Sequence, residues 1–208
     1  MDDRALTLRI VSLVLQYPDN ELLANRSEIE SVVTTLAESP ARAHLLGFMQ
    51  WFATESATHL ARHYVETFDL RRRSSLYLTY YLHGDTRRRG MALLTLKQRY
   101  RAAGFVPPDD ELPDFLPMVC EFAALEGRRG EAPLRQHRQG VELIRAALHD
   151  SGSRYAAVLD ALGEMLPGLS TEDEEAVAEL MLTGPPAEDV GLAPFAPPQY
   201  LTGTEIRA

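Results

Sequence analysis

Residues 64–90 read YVETFDLRRRSSLYLTYYLHGDTRRRG, and the fold is decided by how this stretch is broken into helices. Tyr64 and Phe68 stand four apart, so they share one helix face; Tyr77 and Tyr81 repeat that spacing, with Tyr80 one position off. Asp69 and the run Arg71–Arg73 mark a helix end or a tight connection between the two aromatic pairs. Gly84-Asp85-Thr86 then reads as stop, cap and restart. Glycine supplies the left-handed closing residue, and Asp85 or Thr86 accepts the free N–H groups of the next helix.

The same alternation of apolar stripes and breaks extends in both directions. Helices are expected at 2–16, from Pro18-Asp19 to Ser39-Pro40, over 41–68, 73–82 and 86–103, then at 112–126, 131–150, 153–165 and 171–182. Residues 105–110 (FVPPDD) form a proline-stiffened loop whose acids seed the following helix. That helix carries Pro113 near its start and Pro117 further in, where it bends the first turn. Leucine occurs 31 times against 15 for Ile and Val together, a bias towards side chains that lose little rotamer freedom in a helix. No alternating run supports a strand. The fold class is therefore all-α, a single-domain bundle of about eight to ten helices over residues 1–183. From Gly184 to Ala208 the chain is a Pro-, Gly- and acid-rich tail, expected to be mobile or to lie on the surface through Phe195 and Tyr200.

Composition narrows the function. One cysteine, Cys120, excludes an internal disulfide and a four-cysteine metal cage. The first residues lack the basic start and apolar core of a secretory signal, and no apolar run approaches the about 20 residues of a membrane span, so a cytoplasmic protein without stable membrane insertion is expected. The net charge of −9 is divided unevenly: +3 up to Gly104 and −12 beyond it. An acidic second half disfavours nucleic acid and suits a basic peptide partner, although the same charge also keeps a helical protein dispersed.

Catalytic signatures are thin. No phosphate-cradling glycine loop or nucleophile elbow is present, and Cys120 lies on an apolar helix as an inert thiol. Glu55, His59 and His63 recur at four-residue intervals. They supply an alternative reading as a metal-binding helical protein or hydrolase, against which an exposed polar helix face explains the same residues. Capping accounts for Asp85 and helix-start electrostatics for Asp114. One or two arginines of each triplet are expected to lock Asp69, Asp85 or Asp114. Binding is better supported than reaction: Tyr64, Phe68, Tyr77, Tyr80 and Tyr81 supply apolar walls and hydroxyl tips for a helical peptide, although helically spaced rings are core by default.

Residues 64–90, together with ELPDFLPMVCEFAAL at 111–125, resemble the NarJ family of assembly chaperones for the molybdenum cofactor of respiratory nitrate reductase, and more distantly the TorD and DmsD chaperones. Ser75-Leu76-Tyr77 matches the family's Ser-x-Tyr segment, and Pro113-Asp114-Phe115-Leu116 its Pro-Asp-His-Leu segment with Phe115 in place of histidine, as in the NarJ branch. Gly84-Asp85-Thr86-Arg87 with Arg89-Gly90 is similar to NarJ specifically, and Glu121 is retained where Val119 replaces an acid. The resemblance implies a TorD-like fold and a non-enzymatic role. By that resemblance the chaperone binds the N-terminal segment of the apo catalytic (alpha) subunit, alone or within the alpha–beta complex, while bis-molybdopterin guanine dinucleotide is inserted into that client, and it departs before or as the enzyme docks on its membrane anchor. It holds no cofactor of its own permanently. The implied client-binding residues are Tyr64, Phe68, Ser75, Tyr77, Tyr81, Asp85, Arg89, Asp114, Phe115, Leu116 and Glu121. Apolar contact is expected from Tyr77, Tyr81, Phe115 and Leu116, and charge from Asp114 and Glu121. A permanent scaffold subunit is a further alternative, and the chain is expected as a monomer or a helix-exchanged dimer.

Overall fold

The computed structural model describes residues 2–108 and 110–186. The tail expected beyond Gly184, with Phe195 and Tyr200, lies almost wholly outside the described residues. Side-chain caps set several helix starts. Asp2 accepts from the Ala5 N–H at 2.7 Å to open α1 (Asp3–Val14), and Asp19 accepts from the Leu22 N–H at 2.8 Å to open α2 (Asn20–Ala24). Asn25 then separates α2 from α3 (Arg26–Thr35), so the single helix expected between Pro18 and Pro40 is two.

The long helix expected over 41–68 is likewise divided. Ser39 caps α4 (Pro40–Thr54), whose proline sits in the first turn, where its missing N–H costs nothing. Ser56 accepts from the His59 N–H and opens α5 (Ala57–Tyr64), and the chain widens into a π turn over Val65–Asp69. A 3₁₀ turn at Arg72–Ser74 follows, then α6 (Leu78–His83) and α7 (Arg87–Ala102). Next come α8 (Leu116–Glu126), α9 (Ala132–Gln136), α10 (Arg138–Asp150), α11 (Ala156–Met165) and α12 (Thr171–Thr183). The described residues thus hold twelve α-helices, more than the eight to ten expected, because three long segments break at Asn25, Glu55-Ser56 and His137.

Gly84 closes α6 with φ +55°, and a Cβ there would sit 1.6 Å from the Pro186 carbonyl oxygen, so glycine is required on both counts. The expected cap beyond it is different in detail. Thr86 holds the N-cap position without a side-chain bond to the helix, and Asp85 pairs with Arg89 at 3.0 Å. Pro113 lies outside α8, which begins four residues later than expected. Pro117 falls in its first turn, where it bends nothing.

In the core, α1 lies along α8, α4 along α11, and α10 against both α6 and α11. Tyr155 is fully buried and centres a ring cluster, with Phe68 at 4.8 Å, Phe48 at 5.2 Å and His63 stacked at 5.7 Å. Burial of these rings supplies the dominant stabilisation, about 1.5–3 kcal/mol for each large apolar side chain removed from water. A smaller cluster of Tyr100, Met118 and Phe122 pins α7 to α8. No described helix is long and apolar enough to cross a membrane.

Candidate functional site: an acid-rimmed cleft beside a two-segment bridge

The Ser75–Tyr77 and Pro113–Leu116 segments are brought together as an isolated antiparallel bridge. Leu78 N–H donates to the Asp114 carbonyl at 3.1 Å, and Leu116 N–H donates to the Leu76 carbonyl at 2.8 Å. Alternation along an extended pair sends Leu76, Leu78, Asp114 and Leu116 into the body and leaves Tyr77 and Phe115 facing outward, their rings 5.5 Å apart. This is the only bridge among the described residues, and it fixes the wall of a cleft.

That cleft has a volume of about 540 Å³. Its aromatic lining comes from Tyr17, Tyr64, Tyr77 and Phe115. Tyr64 donates its hydroxyl to the Leu15 carbonyl at 3.1 Å and meets Tyr17 edge-on at 5.5 Å, which ties the end of α1 to α5. Among the described residues, the remaining lining carries five carboxylates, Asp19, Asp69, Asp110, Glu111 and Glu121, and no lysine or arginine. Tyr77 donates its hydroxyl to Glu111 at 3.0 Å; burial and then this carboxylate push its ionisation up to about 12, so the ring stays neutral. Partial burial also moves the Asp69 carboxyl above its ordinary value.

Not every residue expected at the surface is there. Asp114 is fully buried: its Oδ2 accepts from the Thr79 N–H at 3.0 Å and the Thr79 hydroxyl at 2.5 Å, with the Arg89 guanidinium 3.8 Å away. Its charge is spent on the start of α6, one segment away from the helix it was expected to serve, and not on a partner. Tyr81 is 3% exposed, donating to the Arg73 and Ser75 carbonyls, and Leu116 is wholly enclosed; neither offers the expected apolar contact. Phe68 is a core ring, and so is Tyr64, equally buried and with its hydroxyl used on the Leu15 carbonyl, although it borders the cleft. Glu121 reaches the cleft but is ion-paired with Arg9 of α1.

Ser75, Asp85 and Arg89 line an adjoining hollow that shares Tyr77 and Asp69 with the cleft. There Arg89 lies over the Tyr77 and Tyr80 rings at 6.0 and 5.7 Å. Of the eleven expected site residues, Tyr64, Tyr77, Phe115 and Glu121 therefore line the cleft itself. Sequence reasoning missed Asp19, Asp110 and Glu111 as cleft residues. Their signal was present as acids flanking prolines, but it was assigned to helix starts.

The alternative metal reading is corrected by geometry. Glu55 ends α4 while His59 and His63 belong to α5, and Glu55 is held by the His59 ring at 2.5 Å. His63 turns instead to the Ser153 hydroxyl at 3.0 Å and the Tyr155 ring, and burial lowers its pKa. Among the described residues no group of three His, Cys, Asp or Glu side chains converges as a metal site. Cys120 is enclosed in α8, where burial pushes its thiol up and leaves it inert.

An all-helical body whose open feature is an aromatic, acid-rimmed cleft falls in the class of helical binding proteins. More narrowly, the chain belongs to the nitrate reductase delta subunit family, which matches residues 35–161. It is 33% identical to the probable nitrate reductase molybdenum cofactor assembly chaperone NarJ of Bacillus subtilis, over 82% of this chain and 94% of that one. It is also 33% identical to the nitrate reductase molybdenum cofactor assembly chaperone NarJ of Escherichia coli K12, over 76% of this chain and 68% of the relative. A putative redox enzyme maturation protein from Archaeoglobus fulgidus shares the fold, with a TM-score of 0.59 over 76% of this chain and 90% of that one at 19% identity. Family membership places the chain among assembly chaperones and not among catalysts.

Proposed function

We propose that this chaperone binds the N-terminal segment of the apo catalytic subunit of a respiratory nitrate reductase in the cytoplasm. It holds that segment as a basic amphipathic helix while bis-molybdopterin guanine dinucleotide is inserted into the client, and lets go before the enzyme docks at the membrane. The observation that carries this reading is the composition of the cleft: the rings of Tyr17, Tyr77 and Phe115 to receive apolar residues, and the carboxylates of Asp19, Asp69, Asp110 and Glu111 to receive cations, with Glu121 beside them held by Arg9. Burying two or three client side chains contributes about 1.5–3 kcal/mol each before ordering costs, so the charge contacts are needed beside them for measurable affinity.

Calorimetry with a synthetic peptide of the cognate client N-terminus tests it. Asp69→Asn combined with Asp110→Asn removes two exposed cleft charges without touching the core. Affinity is expected to fall about tenfold and to lose part of its salt dependence. An unchanged affinity, or no binding by the parent protein, overturns the reading.

A further inference from the structure

A second hollow, of about 400 Å³, lies between α1 and the pair α2–α3. Its exposed floor is aliphatic: Leu6 and Leu13 from α1, Leu22 from α2 and Val32 from α3, each packed on the core from one side and open on the other. Its rim carries Asp19, Glu21 and Glu28. The short helix α2 has no fully buried residue, and among the described residues its side of the hollow is open.

This hollow is continuous with the cleft. Gln16 and Asp19 stand in the walls of both. The ridge between them is crossed by one ion pair, with Arg9 lining the second hollow and Glu121 lining the cleft. Among the described residues, Arg9 is the only lysine or arginine along the second hollow, and it is already held by Glu121. An aliphatic floor under an acidic rim fits the apolar stripe and flanking cations of an amphipathic helix. The composition matches the first cleft in sign and exceeds it in aliphatic character.

We propose that the α1–α3 hollow is a second subsite for the same basic amphipathic client helix, which runs from the Tyr77–Phe115 cleft across the Arg9–Glu121 pair. This inference rests on the client reading above, and its test separates the two. A helix rises about 1.5 Å per residue, so a client peptide of about twenty residues spans about 30 Å, whereas one of about ten residues occupies one hollow only. Calorimetry is run with both peptides on the parent chain, on Leu22→Ser, and on the Asp69→Asn/Asp110→Asn variant. Leu22 is half-buried against the core edge on a helix with no fully buried residue, so circular dichroism and the urea midpoint are read beside its affinity to separate lost packing from lost peptide contact.

The longer peptide is expected to lose about tenfold in affinity with either change, and the shorter one to respond to one change only. If the longer peptide ignores Leu22→Ser yet responds to the cleft variant, the second subsite falls and the client reading stands. If it responds to neither, both fall. If the chain sediments as a dimer that Leu22→Ser dissociates, with peptide affinity unchanged, the hollow is a contact between copies and the proposal is overturned.

Discussion

Thr79 gives both its backbone N–H, at 3.0 Å, and its hydroxyl, at 2.5 Å, to the same carboxylate oxygen of Asp114, across 35 residues of sequence. The two main-chain bonds of the Tyr77–Phe115 bridge flank this contact, and Arg89 approaches the same oxygen from α7. A fully buried carboxylate thus joins the start of α6 to the turn before α8 and holds the cleft wall in shape. Its second oxygen has no hydrogen-bond partner among the described residues, so the balance of the site hangs on Oδ2.

Asp114→Ala leaves the Thr79 hydroxyl and N–H without their acceptor and removes the counter-charge near Arg89. The expected loss is about 3 kcal/mol of stability, read from the urea midpoint. Asp114→Asn keeps the acceptor and loses less. Because the carboxylate never reaches the cleft, client-peptide affinity of the folded fraction should change little with Asn, which separates a wall-building role from direct contact.

His137, at the break between α9 and α10, is 8% exposed, and burial lowers its pKa to about 4, with His83 and Arg99 adding to the effect. Its folded pKa lies below the ordinary value near 6.5. Between those values the unfolded chain binds the proton and the folded chain does not, so stability is full above pH 6.5 and falls as pH drops towards 4. His63 and His83 are shifted in the same direction by burial and add to the trend. Urea unfolding at a series of pH values should show up to about 1.4 kcal/mol lost per pH unit from His137 alone in this window. His137→Gln is expected to flatten that slope, and an unchanged slope would sink the assignment.

Helical class and most helix positions were readable because the apolar stripes at Leu6, Ile10, Leu13 and Val14, or Leu45, Phe48 and Phe52, recur with helical period whatever they pack against. The breaks at Asn25, Glu55-Ser56 and His137 were not, because periodicity runs through a short interruption and only capping shows it; Ser56 before Ala-Thr-His was the available sign. The two motif segments were recognised, but not that they pair through main-chain bonds, since a two-residue bridge leaves no alternation to read. Burial was the other hidden quantity. Tyr81 and Leu116 look equal to Tyr77 and Phe115 in sequence, and the extended pairing alone decides which face is out. Asp110 and Glu111 could not be placed in a cleft from a loop whose path depends on Tyr100 donating to the Pro113 carbonyl at 2.7 Å.

Arg9 and Glu121 offer a test in which stability and binding move differently. Their pair is partly exposed, with side-chain exposures of 38% and 31%, so its loss costs at most about 1 kcal/mol whichever partner is replaced. Binding responds with opposite signs. Arg9→Gln releases Glu121 towards an incoming cation and deletes a like charge from the path of a basic helix. Glu121→Gln deletes an attractive charge and leaves Arg9 to repel. At low ionic strength Arg9→Gln is expected to tighten the basic client peptide about threefold and Glu121→Gln to weaken it by a similar factor, both effects shrinking as salt screens them. Calorimetry at two salt concentrations reads both. If the two substitutions weaken the peptide alike, Arg9 is a structural strut and not a stand-in for the client's own cation.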